Sequence, residues 1–122
     1  MKDIVIYHNP KCSNSRGALA LLEAKGLKPK IVEYVKTPLT VAQLKDLAAQ
    51  LARTAGAKWP GLRDGMMRTK EPAYAELKLD KASDAALLKA IAEHPALMNR
   101  PIVVTAKGAR LCRPPELVQE IL

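Results

Sequence analysis

The sequence predicts an α/β domain: a βαβ unit, a helical middle and a closing ββα unit, built on a four-stranded mixed sheet. Three observations carry that reading. β-Branched apolar runs with no helical gap stand near both ends of the chain, at Ile4-Val5-Ile6-Tyr7 and Ile102-Val103-Val104-Thr105. Between them, apolar residues recur at intervals of three and four. Glycine and proline stand at the joins, where helices and strands stop. With 122 residues the chain fits one domain over 1–122, large enough to bury a core without disulfide staples.

Residues 3 to 8 read as a buried strand, followed at once by a loop at Asn9-Pro10-Lys11-Cys12-Ser13. Ala18, Leu19, Leu21 and Leu22 mark the inner face of a helix that closes at Gly26, with Pro29 just beyond. Ile31, Val32, Tyr34 and Val35 predict a second strand, parallel to the first through a right-handed crossover. Thr40 can cap a helix in which Val41, Leu44, Leu47, Ala48 and Leu51 share a face. From Ala52 to about Lys81, Gly56, Pro60, Gly61, Gly65 and Pro72 break the pattern into short helices and loops. Ser83 caps the next helix, with Leu87, Leu88, Ile91 and Ala92 inward and Pro95 as its stop. Arg100 to Thr105 is a third strand, Ala106-Lys107-Gly108-Ala109 a turn, and Arg110-Leu111-Cys112 a short fourth strand. A last helix starts near Pro114-Pro115-Glu116 and runs to Leu122. This order, with a helical insert over about 40–95, is the connectivity of a thioredoxin-like domain.

Composition narrows the function classes. Hydrophobic residues make up 48% and charged residues 26%, and no apolar run approaches the roughly 18 to 20 residues that cross a bilayer. The N-terminal apolar stretch is too short for a signal-peptide core and has no small-residue cleavage site, which reads as cytoplasmic. A formal charge of +8 asks for an anionic partner. Lysines and arginines are scattered among acids, however, and no Phe, one Trp and three Tyr leave little to stack on bases, which argues against nucleic acid and leaves an anionic surface or a small oxyanion that a positive surface would steer inward. Two cysteines far apart make no disulfide framework. His8, Cys12, His94 and Cys112 lack the paired spacing of a structural zinc site, so no metal and no bound cofactor is expected.

Cys12 follows the first strand and precedes the first helix, where free backbone N–H groups and the positive end of the helix dipole favour thiolate over thiol. The same amides suit an oxyanion. Lys11 and Arg16 flank it. A dithiol mechanism would need a cysteine at position 15, which is Ser15, and a phosphatase-like loop would need an arginine at position 18, which is Ala18. Cationic help must therefore come from elsewhere in the chain. Arg100, before Pro101, and Arg113, after the fourth strand, fall at the strand ends nearest the loop, and Arg68 is a third candidate from the insert. Guanidinium groups suit an oxyanion with several equivalent oxygens because each donates two parallel hydrogen bonds. Arg-Pro at 100–101 is also where thioredoxin-like folds place a cis proline facing the active cysteine.

Three segments together resemble the arsenate reductase family of the glutathione/glutaredoxin-dependent type: Tyr7-His8-Asn9-Pro10-Lys11-Cys12-Ser13-Asn14-Ser15-Arg16, His94 to Thr105 around Arg100-Pro101, and Gly108-Ala109-Arg110-Leu111-Cys112-Arg113-Pro114. With a short segment after Arg113, the chain resembles the compact branch of that family. The resemblance implies reduction of arsenate to arsenite through a cysteine–arsenate adduct on Cys12, with glutathione as co-substrate and glutaredoxin as partner. It also implies oxyanion binding by Arg68, Arg100 and Arg113, with His8 and Ser15 assisting the thiolate. Cys112 matches a family position but reads as a buried small residue.

Two other readings use the same fold. Spx-type regulators of this superfamily bind RNA polymerase and sense oxidation through Cys-x-x-Cys, a switch that Ser15 removes while an interaction module stays open. Alternatively, a thiol reductase could use the same cysteine on another substrate, such as a glutathione mixed disulfide.

Overall fold

The computed structural model describes residues 3–122. They form strand β1 (Val5–Tyr7), helix α1 (Ser13–Ala24), strand β2 (Lys30–Val32), helices α2 (Val41–Ala55), α3 (Leu62–Met66), α4 (Pro72–Glu76) and α5 (Asp84–Glu93), and strands β3 (Ile102–Thr105) and β4 (Gly108–Leu111). Single 3-10 turns lie at Gly56–Lys58, Leu79–Lys81 and Pro95–Leu97, and a longer 3-10 segment at Pro115–Ile121. The chain divides into two compact units: the N-terminal part through Thr37 together with Arg100–Leu122, and Pro38–Asn99.

The first unit holds a four-stranded sheet in the order β2-β1-β3-β4, with β1 parallel to β2 and antiparallel to β3, and β3 antiparallel to β4. This is the mixed sheet of the thioredoxin-like arrangement. Ile6 from β1, Val103 from β3, Ala18 and Leu22 from α1, Cys112, and Val118 and Ile121 from the last 3-10 segment form its core. Aliphatic side chains fill it, as the scarcity of aromatics requires. Strand register places the connecting loops. Tyr7 pairs with Ile102, and Ile102 with Leu111. Residues just after β1, just before β3 and just after β4 therefore emerge at one end of the sheet.

In the second unit α2 packs against α5. Leu44, Leu47 and Leu51 of α2 and Leu87, Leu88, Ala90 and Ile91 of α5 are buried. Thr40 starts α2 with a reciprocal cap: the Gln43 N–H donates to its hydroxyl at 3.1 Å, and its own N–H donates to the Gln43 carboxamide oxygen at 2.9 Å. Ser83 accepts from the Ala86 N–H at 3.2 Å and starts α5.

Four local expectations change. β2 ends at Val32 because the Glu33 carbonyl accepts the N–H groups of Lys36 and Thr37, both at 3.0 Å, in a turn instead of a ladder. Tyr34, 1% exposed, and Val35, 47% exposed, belong to that turn, so the apolar run marks the burial of one residue and not a longer strand. Val41 is exposed, and the inner face of α2 begins at Leu44. The hairpin turn contracts to Ala106-Lys107, since Gly108 at φ 142° already pairs with Thr105. The last helix is 3-10, not α: Leu117 N–H reaches Pro114 O and Leu122 N–H reaches Gln119 O. Successive prolines cannot donate, and Val118 and Ile121, the two buried residues, stand three apart, which is the 3-10 period.

Gly65 on α3 packs directly beneath the Trp59 ring, and a methyl group built there would overlap it. Gly65→Ala is expected to lower stability by about 1–3 kcal/mol despite alanine's better helix propensity. Thermal unfolding followed by circular dichroism checks this as a lower Tm.

Candidate active site

The loop after β1 is a hydrogen-bonded turn. Asn9 and Pro10 are well suited to its first two positions, and the Cys12 N–H donates to the Asn9 carbonyl at 3.0 Å, closing it. The chain then enters α1 with Cys12 as N-cap, in extended conformation at φ −96° and ψ 125°. No side chain caps this end and no acid lies in the first turn. The first amides of the helix are left for another acceptor.

The Cys12 sulfur is that acceptor. Burial by itself would push the thiol up, but hydrogen bonds from the Ser15 amide, the Arg100 side chain, the Asn14 amide and the Arg113 side chain outweigh it. The net effect holds Cys12 below its ordinary value. Arg113 Nη1 stands 3.6 Å from Sγ and also donates to the Arg100 carbonyl at 2.9 Å. One backbone carbonyl thus fixes the guanidinium whose charge faces the sulfur. Arg100 and Arg113 each precede a cis proline, Pro101 and Pro114. The Cys112 N–H donates to Pro101 O at 2.9 Å and ties the two segments together.

His8 and Ser15 lie beneath the loop, at 6% and 0% exposure. His8 Nδ1 and Ser15 Oγ are 2.5 Å apart, and Ser15 Oγ accepts the Asn9 N–H at 3.0 Å. Burial depresses the His8 pKa; the Glu33 charge opposes this and Arg16 adds to it. A neutral imidazole lets the Ser15 hydroxyl donate to Nδ1 while it accepts from Asn9. These two side chains hold the loop, whereas it is the Ser15 amide that reaches the sulfur. Arg16, flanking in sequence, turns back and donates from Nη1 to the Pro10 carbonyl at 2.9 Å.

Cys112 sits at 0% exposure in the aliphatic core, and its thiol is pushed up to about 12, mainly by burial. It is a packing group. Arg68 belongs to the Pro38–Asn99 unit: its N–H donates to Leu97 O at 2.8 Å, and its Nε lies 3.6 Å from a Glu71 carboxylate oxygen. Nearby in sequence, Arg63 is committed to the Leu79 and Ala82 carbonyls at 3.1 and 3.0 Å, so it is a brace within that unit. Structure therefore brings His8, Cys12, Ser15, Arg100 and Arg113 together in one unit. Sequence reasoning did not reach the role of Asn9, although Asn-Pro before the cysteine is a turn signal that could have pointed to it.

The model of the ArsC family matches residues 7–121, which takes in the last residue of β1, the cysteine loop, both arginine-proline segments and the other three strands. The chain belongs to the ArsC family. Among ArsC relatives it is similar to an arsenate reductase of Synechocystis, 48% identical over 98% of this chain and 81% of that protein. It is also similar to an arsenate reductase of Neisseria meningitidis, 44% identical over the full length of both. A solved structure of an arsenate reductase from Vibrio cholerae superposes with a TM-score of 0.89 at 50% identity, covering 98% of each chain.

A lowered Cys12 pKa means that thiolate, the form that reacts with electrophiles, persists to lower pH than in an ordinary thiol. Removing a cationic donor should move its ionisation upward. Alkylation by iodoacetamide is therefore expected to show its pH midpoint higher in Arg113→Met than in the parent protein. Cys112 should stay unmodified in both until the chain is unfolded, as peptide mapping by mass spectrometry would report.

Proposed function

We propose that this ArsC-family protein reduces arsenate to arsenite, with Cys12 as nucleophile and glutathione and glutaredoxin as the thiol system. The observation that carries the reading is the Cys12 sulfur at the first amides of α1, with Arg113 Nη1 3.6 Å away and Arg100 donating to the same atom. Relatives that carry the arsenate reductase name support its arsenate part.

Guanidinium and amide donors that hold a thiolate can equally hold the oxygens of a tetrahedral oxyanion beside it. The thiolate attacks arsenic, one arsenate oxygen leaves as water after protonation, and a Cys12–arsenate thioester forms with arsenic still in the +5 state. The adduct cannot resolve internally, because position 15 carries a hydroxyl already engaged by His8 and Asn9, and Cys112 is sealed in the core. An external thiol is required. Glutathione attacks the Cys12 sulfur; the sulfur–arsenic electron pair stays on arsenic, which leaves as arsenite in the +3 state, and a Cys12–glutathione disulfide remains. Glutaredoxin takes the glutathionyl group and frees the thiol.

In this scheme Arg100 and Arg113 bind the oxyanion, and His8 and Ser15 keep the loop in place. No bound cofactor takes part, since all electrons come from thiols. The cytoplasm, where glutathione is kept reduced, is the matching compartment. Among the described residues no helix is long and apolar enough to cross a membrane.

Purified protein with glutathione, glutaredoxin, glutathione reductase and NADPH is expected to oxidise NADPH on addition of arsenate, and Cys12→Ser to abolish it. Arg100→Ala and Arg113→Ala should each lower kcat/KM by about 10- to 100-fold, the worth of a charge-assisted hydrogen bond. Arg16→Ala, whose guanidinium faces the Pro10 carbonyl, should cost less. No turnover by the intact wild type, or equal losses from all three arginines, would overturn the assignment.

A further inference from the structure

Asn9 bonds in three ways within the loop that carries the sulfur. Its N–H donates to the buried Ser15 hydroxyl, its carbonyl accepts the Cys12 N–H, and its side-chain Oδ1 accepts the Lys11 N–H, each at 3.0 Å. The first two bonds come from the backbone and survive any side-chain change. The third does not. It pins the amide between Pro10 and the cysteine from inside the turn, while Arg16 pins the Pro10 carbonyl from outside. Side-chain oxygens of asparagine bond the backbone two residues on and so mimic a backbone turn.

We propose that the Asn9 carboxamide is a positioning group for Cys12, fixing the Pro10–Lys11 peptide so that the sulfur meets the α1 amides and Arg113 together. The consequence is geometric. Cys12 is intermediate in exposure and its N-cap position has no side-chain lock of its own. Hydrogen bonds to sulfur weaken steeply with misalignment, and a small displacement of a reacting group lowers rate out of proportion to its size. A turn free to rock would leave the sulfur at the helix end but spend less time in the aligned state. The rest of the core does not depend on this side chain: it makes no contribution to the aliphatic cluster of Ile6, Leu22 and Val103.

Asn9→Ala and Asn9→Ser separate positioning from folding, because serine retains an oxygen that forms the same kind of turn more weakly. The proposal deepens the reductase reading, but its first readout is iodoacetamide alkylation of Cys12 against pH, which needs no arsenate and stands whatever the substrate. Asn9→Ala is expected to raise the pH midpoint of alkylation, keep the far-UV spectrum and cooperative unfolding of the parent, and lower arsenate kcat/KM by about 3- to 10-fold through kcat, the worth of one net hydrogen bond. Asn9→Ser should recover part of both effects. A parental alkylation profile in Asn9→Ala, serine as impaired as alanine, or loss of the fold in place of loss of reactivity would each overturn it.

Discussion

A partly buried sulfur is a poor place for negative charge, and the first unit is arranged to reverse that preference at Cys12. Burial pushes the thiol toward its neutral form; two amides of the α1 N-terminus and two guanidinium groups push harder in the other direction. The amides are available because nothing else caps the helix, and no acidic side chain in the first turn competes with the sulfur for them. Serine or aspartate is the ordinary residue at a helix start, and its side-chain oxygen takes the first amides; here cysteine holds that place and its sulfur takes them. The position of Cys12 as N-cap is thus what favours its thiolate.

The sheet makes this local arrangement possible across a long sequence separation. Pairing of Tyr7 with Ile102 and Ile102 with Leu111 delivers the cysteine loop, Arg100 and Arg113 to one end of the sheet. The Arg100 carbonyl then holds Arg113, and the Pro101 carbonyl holds the Cys112 backbone. Two cysteines in the same unit so acquire opposite characters. Cys12 has four donors and a lowered pKa, whereas Cys112, among aliphatic groups, is pushed up to about 12. A difference in partners, not in residue type, separates a thiol held toward its thiolate from one held neutral.

Much of this was legible from residue types alone. β1 and β3 are continuous β-branched runs, and the caps at Thr40 and Ser83 are of residue types that favour helix starts. Cys12 between a strand and a helix could be placed without coordinates, as could the convergence of Arg100 and Arg113, because the order of elements puts the end of the first strand, the start of the third and the end of the fourth at one end of the sheet. What was not legible depends on hydrogen-bond choice between near-equal options. Glu33's carbonyl serves a turn and not a ladder, which ends β2 early and leaves Tyr34 buried outside any strand. The C-terminal segment takes 3-10 geometry because its two buried residues fit that period. Arg16 shows the same limit: its sequence position suggests charge beside the thiol, yet its donor goes to Pro10. Asn9 reads in sequence as a loop residue, and its two backbone bonds and the single bond of its carboxamide follow only from the folded turn.

The most direct test of this account is the titration of the Cys12 side chain in the folded protein against the same group in the urea-unfolded chain, read from its 13Cβ shift with Cys112→Ala to remove the second signal. The account predicts a folded midpoint below the unfolded one, so that ionisation favours the folded state, with the gain complete above the unfolded midpoint and lost as pH falls through the folded one. A folded midpoint equal to or above the unfolded value would mean that burial wins at this sulfur, and the reactive-cysteine account would fail.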